Sequence, residues 1–200
     1  MRIVAHSYIH PKGAFLNGQK LIDSSLDKDY LKTIYTTLGL DYPKFYKMDT
    51  LSKMSLLGTF LLNDYLPDYK DCEDNLQVIF ANSSSSQVTD LKYIDSYLSA
   101  GSPSPSLFVY TLPNIVTGEL SIRYKWFGES IFFIEEEFRS DFFLEQAEYA
   151  ISRGNSYCLC GWVESNVSGV EECFLFIIGD ERKSNISDNL INILKSYRNE

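Results

Sequence analysis

The sequence predicts an α/β protein in which a mainly parallel sheet is covered by helices on both faces. Two observations carry that prediction. Leu76 to Ala81 is almost continuously apolar, and Ile131 to Ile134 and Cys173 to Gly179 are apolar at every side chain they carry, as strands buried on both faces require. Between such runs, apolar residues recur at helical spacing: Leu31, Ile34, Tyr35 and Leu38, then Met54, Leu57 and Phe60, then Phe143, Leu144, Ala147 and Ile151. Strand-type and helix-type segments that alternate in this way specify a layered α/β architecture.

Taken in order, residues 2–9 form the first strand and Pro11 to Gly18 the turn after it. Leu26 to Leu38 is helical and closes near Gly39. Asp41 to Lys47 interleaves Tyr42, Phe45 and Tyr46 with Lys44 and Lys47, and Lys53 on the next helix, Thr50 to Leu62, extends the basic patch. Such a mixture can hold a nucleotide or a phosphopantetheine arm. Lysine stems also lie over buried rings, and a loop anchored by its own aromatics is the simpler reading. Asp64 to Asn75 is loop, and Leu76 to Ala81 is the second strand. Ser83 to Ser86 follows at the strand end where open α/β sheets place ligands, but without glycines it reads as a solvated loop. Asp90 to Leu98 is helical, Ala100 to Ser106 is a Pro/Ser/Gly break, and Leu112 to Tyr124 is the next helix.

The third strand, Ser130 to Ile134, stops at the acidic run Glu135, Glu136, Glu137. Beyond this elbow Ser140 is the expected N-cap, Asp141 suits the positive helix end, and Gly154 closes the helix. Tyr157 to Val163 and Cys173 to Gly179 are the last two strands, and Ile186 to Tyr197 is a terminal amphipathic helix.

At 200 residues, 44% hydrophobic and 14% aromatic, the chain supports one domain spanning residues 1–200. Its net charge of -9 argues against nucleic acid and anionic lipid as partners. No apolar stretch approaches the ~20 residues of a membrane helix. The N-terminus starts as a strand without a signal peptide's apolar region, so a cytoplasmic protein is expected. Cys158 and Cys160 share one face of a strand, Cys173 lies on its neighbour and Cys72 is remote in sequence. A C-x-C pair inside an apolar strand reads as buried thiols, so neither metal nor cofactor is expected.

Several short segments, in order, carry a resemblance. They are Phe45-Tyr46-Lys47-Met48-Asp49-Thr50-Leu51-Ser52, Ser104-Pro105-Ser106-Leu107-Phe108, Leu112-Pro113-Asn114, Thr117-Gly118-Glu119-Leu120-Ser121-Ile122, Gly128, and Cys160-Gly161-Trp162-Val163-Glu164. Their order and spacing resemble the beta-ketoacyl synthase (3-oxoacyl-acyl carrier protein synthase) family, in the N-terminal half of its thiolase-like fold. The resemblance implies a single thiolase-like half: a five-stranded mixed sheet in the order 3-2-1-4-5, the last strand antiparallel, with helices on both faces. Counting without gaps from Gly128 to the family's nucleophilic cysteine lands on Glu137. The family also uses two histidines from its C-terminal half to polarise a thioester. Here the histidines are His6 and His10, both in the first-strand region, and the family's second half would lie past the last residue of this sequence.

What the resemblance implies is therefore a nucleophile-less protein of the chain-length-factor type, in a fatty-acid or polyketide-type pathway. Its partner would be a full-length ketosynthase or a second copy of itself, with acyl carrier protein as a further candidate. The alternative is an enzyme using Glu137, either a malonyl-carrier-protein decarboxylase or half of a split condensing enzyme. A carboxylate at a helix N-terminus is held as the anion and makes an indifferent base at neutral pH, which weighs against it. Glu135 and Glu137 also invite a glycosidase reading, but neighbouring acids at a strand end are usually solvated. In the family's strand order the third strand lies at the sheet margin, where synthase subunits pair. Ser130, Ile131, Phe132, Phe133 and Ile134 include none of the residues that protect an open edge, and are the expected interface.

Overall fold

The computed structural model describes residues 1–66, 76–179 and 186–199. Its strands are β1 (Arg2–His10), β2 (Gly13–Leu16), β3 (Gln19–Asp23), β4 (Leu76–Asn82), β5 (Ser130–Ile134), β6 (Tyr157–Ser165) and β7 (Glu171–Gly179). The helices are α1 (Tyr30–Thr37), α2 (Thr50–Leu61), α3 (Gln87–Ala100), α4 (Pro105–Val109), α5 (Ile115–Tyr124), α6 (Ser140–Ser152) and α7 (Ile186–Arg198). Cys72 and most of the loop expected over residues 64–75 lie outside the described residues.

The α/β class holds, but the sheet differs from expectation in size and order. It has seven strands in the order β3-β2-β1-β7-β6-β4-β5. The expected order would place β1 between β4 and β6, whereas β4 pairs directly with β6 and β1 pairs with β7. The cause is local: β1 turns straight back into β2, which occupies one of its two hydrogen-bonding sides and leaves one for the rest of the sheet. A strand with one free side cannot sit in the centre. Only β4–β5 and β4–β6 are parallel pairs, and the others are antiparallel, so "mainly parallel" is also corrected. Since β7 is antiparallel to both neighbours, β1, β4, β5 and β6 share one direction and β7 alone among the five expected strands opposes them.

The expected turn at Pro11 to Gly18 proves to hold β2 and the start of a second hairpin. Asn17 and Gly18 both adopt positive φ, 49° and 86°, the conformation that an Asn-Gly two-residue turn favours. The first helix begins later than expected because Asp29 caps it, its side chain accepting from the Lys32 backbone N–H. The helix expected over 112–124 begins only at Ile115, after Pro113, and is the single helix α5; the short helix α4 ahead of it starts within the expected Ala100 to Ser106 break and is not among the expected elements.

Each face of the sheet has its own core. Cys173, Leu175 and Ile177 face α1, α2 and α5, whereas Phe174, Phe176 and Ile178 face α6 and α7. The close packing of α2 relies on Gly58, where a Cβ would come within 3.0 Å of Leu175 Cδ1. Gly161 is more restrictive still: a Cβ there would lie 2.4 Å from Leu175 Cδ2 and 2.9 Å from the Phe80 ring. These contacts bring β4, β6 and β7 together, and their ends carry the site described next.

Candidate functional site

The elbow between β5 and α6 comprises residues 135–139. Its first residue still belongs to the ladder, since Glu135 N–H donates to Asn82 O at 2.9 Å. Phe138 then turns inward, with its ring centroid 5.5 Å from Phe143, 5.7 Å from Phe174 and 6.3 Å from both Trp162 and Phe176. The aromatic wedge forces the residues before it outward, which leaves Glu136 and Glu137 exposed.

Ser140 is not the N-cap. Arg139 holds that position and Ser140 is the first helical residue, buried against the sheet. Glu137 thus stands outside the helix rather than at its end, and the helix-end anion is Asp141. Arg139 Nη2 donates to Asp141 at 3.0 Å, and that bond with the Phe142 N–H holds the Asp141 carboxyl below its ordinary range. The dipole argument made for Glu137 applies to Asp141 instead.

Glu137 does line a cleft, of about 400 Å³, at the C-terminal ends of β4 and β6. Its floor holds two glutamates that sequence reading did not single out as a site. Glu164 is the last but one residue of β6, Glu172 the second of β7, and the two are directly opposite in register. Their partners differ. Glu172 Oε2 accepts from Tyr8 Oη at 2.8 Å and from Arg198 Nε at 2.9 Å, and Arg198 Nη2 closes a bidentate pair on Oε1. Glu164 Oε2 accepts from Ser83 N–H at 2.8 Å and Ser83 Oγ at 2.7 Å, while Oε1 is buried without a partner. The nearby Trp162 Nε1 is likewise buried and unpaired. The sequence signals were Glu164 at the end of the Cys160-Gly161-Trp162-Val163-Glu164 segment and the spacing of acids on either side of the Asn166-Val167-Ser168-Gly169 turn.

The other candidate residues lie elsewhere. Cys158 and Cys160 belong to the core under α6 and α7, and Cys173 to the opposite face, so the described thiols do not converge. Burial pushes Cys158 up to about 12 and the other two thiols upward as well, which leaves them protonated. His6 and His10 lie on β1, and burial lowers both to about 4. His6 Nδ1 is 2.8 Å from Tyr197 Oη on α7. The basic patch takes the simpler of its two readings. Phe45 is buried and stacked on Tyr35, Lys53 lies over Phe45, and Lys44 Nζ lies 2.7 Å from the buried carboxylate Glu119, which also accepts from Tyr110 Oη. Ser130 to Ile134 form the strand at one margin of the sheet and, among the described residues, pair only with β4.

No family model and no curated protein matches the chain. Solved structures do. A chain of the ketosynthase (ApeO) in complex with its chain length factor (ApeC) from Xenorhabdus doucetiae superposes with a TM-score of 0.65 at 13% identity, over 100% of this chain and 93% of that one. The chain shares that fold. The ishigamide ketosynthase/chain length factor follows with a TM-score of 0.61 at 16% identity, over 92% of this chain and 63% of that one. A beta-ketoacyl synthase from Burkholderia phymatum STM815 gives 0.57 at 11% identity, over 90% and 59%. The chain therefore spans nearly the whole of the first structure and about 60% of the other two. Among the described residues no helix is long and apolar enough to cross a membrane.

Proposed function

We propose that this chain, as a single synthase-like half over residues 1–200, is a non-catalytic partner subunit of an active 3-oxoacyl-acyl carrier protein synthase in a cytoplasmic fatty-acid or polyketide-type pathway. The observation that carries the reading is the elbow. By the gapless count from Gly128 the family's nucleophilic cysteine corresponds to Glu137, and Glu137 is an exposed carboxylate outside the helix, while the described thiols are buried in the sheet. A thioester-forming subunit needs an activated nucleophile at that point. The near end-to-end match to a chain from a ketosynthase–chain length factor complex supports a role within such a complex.

The pairing surface in this reading is β5. Ile131 and Ile134 are exposed and no side chain from Ser130 to Ile134 is charged, so the open edge gains stability when a second strand covers it. Either a full-length ketosynthase or a second copy can supply that strand, and an acyl carrier protein would then dock on the assembled pair. A stable interface of this kind buries more than ~1,000 Å² in total. Co-expression with a full-length ketosynthase, followed by gel filtration with light scattering, tests the reading. A stable hetero-complex or a homodimer is expected. A chain that stays monomeric at high micromolar concentration and ignores the synthase contradicts it.

A further inference from the structure

We infer that the elbow cleft is a binding site for an alkylammonium or alkylguanidinium group, a basic head on an unbranched apolar stem. The inference does not depend on pairing with a synthase.

It starts from the cross-strand pair. Glu164 and Glu172 are opposed on neighbouring antiparallel strands, and both are buried, at 3% and 6% exposure. Like charges placed directly opposite destabilise a sheet, and a buried carboxylate needs a compensating charge. Glu172 has one in Arg198. Glu164 has only the neutral donors of Ser83, on one of its two oxygens, and Oε1 has no partner. The floor of the cleft therefore holds one neutralised and one unneutralised carboxylate. At the rim, Glu136 and Glu137 add exposed negative charge. An anion is repelled here, whereas a cation is drawn in from the rim and finds an acceptor at the floor.

The walls define the rest of the ligand. Phe138, Val170, Ile191 and Leu194 line the cleft between rim and floor, an apolar surface suited to methylene groups. Because Glu164 is so deeply set, the head that reaches it is slim. Lys195 on α7 also lines the cleft, but among the described residues it forms no ion pair. Its ammonium is the internal competitor for the incoming cation. Such a head can come from a free alkylamine or from a lysine side chain of a bound polypeptide.

The indole N–H of Trp162, buried and unpaired beside Glu164, gives a direct readout. Nitrogen-15 spectra of the full chain would be titrated with cadaverine, with a blocked lysine tripeptide and with inorganic phosphate, using the Trp126 indole as internal reference. The Trp162 resonance is expected to move saturably with at least one cationic probe and not with phosphate. Glu164→Gln should weaken that binding at least tenfold, and Lys195→Met should tighten it severalfold. If Glu164→Gln does not fold, Glu137→Gln at the exposed rim should still weaken binding severalfold. Saturation by cadaverine alone assigns a small amine, and saturation by the peptide alone a polypeptide lysine. No saturable shift with either cation, an equal response to phosphate, or unchanged affinity in the folded glutamate variants overturns the assignment.

Discussion

The two margins of the sheet solve the same problem in opposite ways. At one end, β3 leaves a row of unpaired backbone groups open and protects it. Lys20 and Asp23 form an ion pair at 2.8 Å, Lys20 also lies over the Phe15 ring, and a bulge between Ala14 and Phe15 distorts the β2–β3 ladder. Charges and bulges of this kind discourage a further strand from adding. At the other end, β5 presents Ile131 and Ile134 to solvent with no charged side chain along its length. The apolar exposure continues beyond the strand to Phe127, 70% exposed, and to Ile122 on α5, 66% exposed. Within a single sheet one edge is thus protected and the other is not, and the unprotected one is the edge on which the proposed pairing rests.

The largest effect is expected from adding protection to the edge that lacks it. Phe132 and Phe133 pack on the two cores, so a charge at either would disturb folding as well as association. Ile134 is 53% exposed and separates the two effects. Ile134→Lys should weaken association at least tenfold, about 1.4 kcal/mol, by light scattering, while the thermal midpoint stays near that of the wild type. Leu21→Lys on β3 is the matching control and should leave association unchanged.

The reverse experiment strips the protected edge. Lys20→Ile with Asp23→Val should convert β3 into a second adhesive margin, seen as concentration-dependent turbidity that Ile134→Lys does not relieve. A soluble double variant with wild-type association would mean that the bulge alone suffices to guard β3.

Acid sharpens the contrast further. The bonds from Lys20 and Ser25 lower the Asp23 carboxyl below its ordinary range, so its contribution is present above the unfolded-state value and is lost only as the pH falls through the lower folded-state value. His6 and His10 behave differently. Their folded-state values of about 4 lie below the ordinary 6.5, so the unfolded chain takes up protons first and stability falls as the pH drops from about 6.5 towards 4. Both histidines are on β1, on the β3 side of the sheet, whereas β5 carries no titratable side chain. Denaturation midpoints should therefore decline between pH 7 and 5 while the association measured through β5 changes little.

The smallest effect is expected at the elbow. Because Glu137 is exposed and outside α6, Glu137→Gln should change stability by less than about 0.5 kcal/mol and leave association intact. A loss of several kcal/mol on chemical denaturation would show that the carboxylate carries a structural role.

The same comparison shows how far the sequence could be read. β4 to β7 and α2 were legible because continuous apolar runs and a helical repeat capped by Asp49 are local signals. The place of β1 was not, since it depends on which strand a long-range pairing selects. The hairpin that fixes it was signalled by Asn17-Gly18, but β2 has only four residues and β3 carries polar side chains at three of its five positions, so neither stood out as a strand. The elbow was visible, and Glu137 does line the cleft. The Glu164–Glu172 pair was hidden because the two residues meet only through the β6–β7 register. The helix-end role assigned to Glu137 failed for a different reason: Phe138 diverts the chain before α6 begins, and periodicity alone cannot show where a buried aromatic will point.

The most direct test of the central claim is intact-mass spectrometry of the complex formed with a full-length ketosynthase, after incubation with acyl- and malonyl-carrier protein. The account predicts an acyl adduct on the ketosynthase and an unmodified mass for this chain. A stoichiometric acyl adduct on this chain would contradict it.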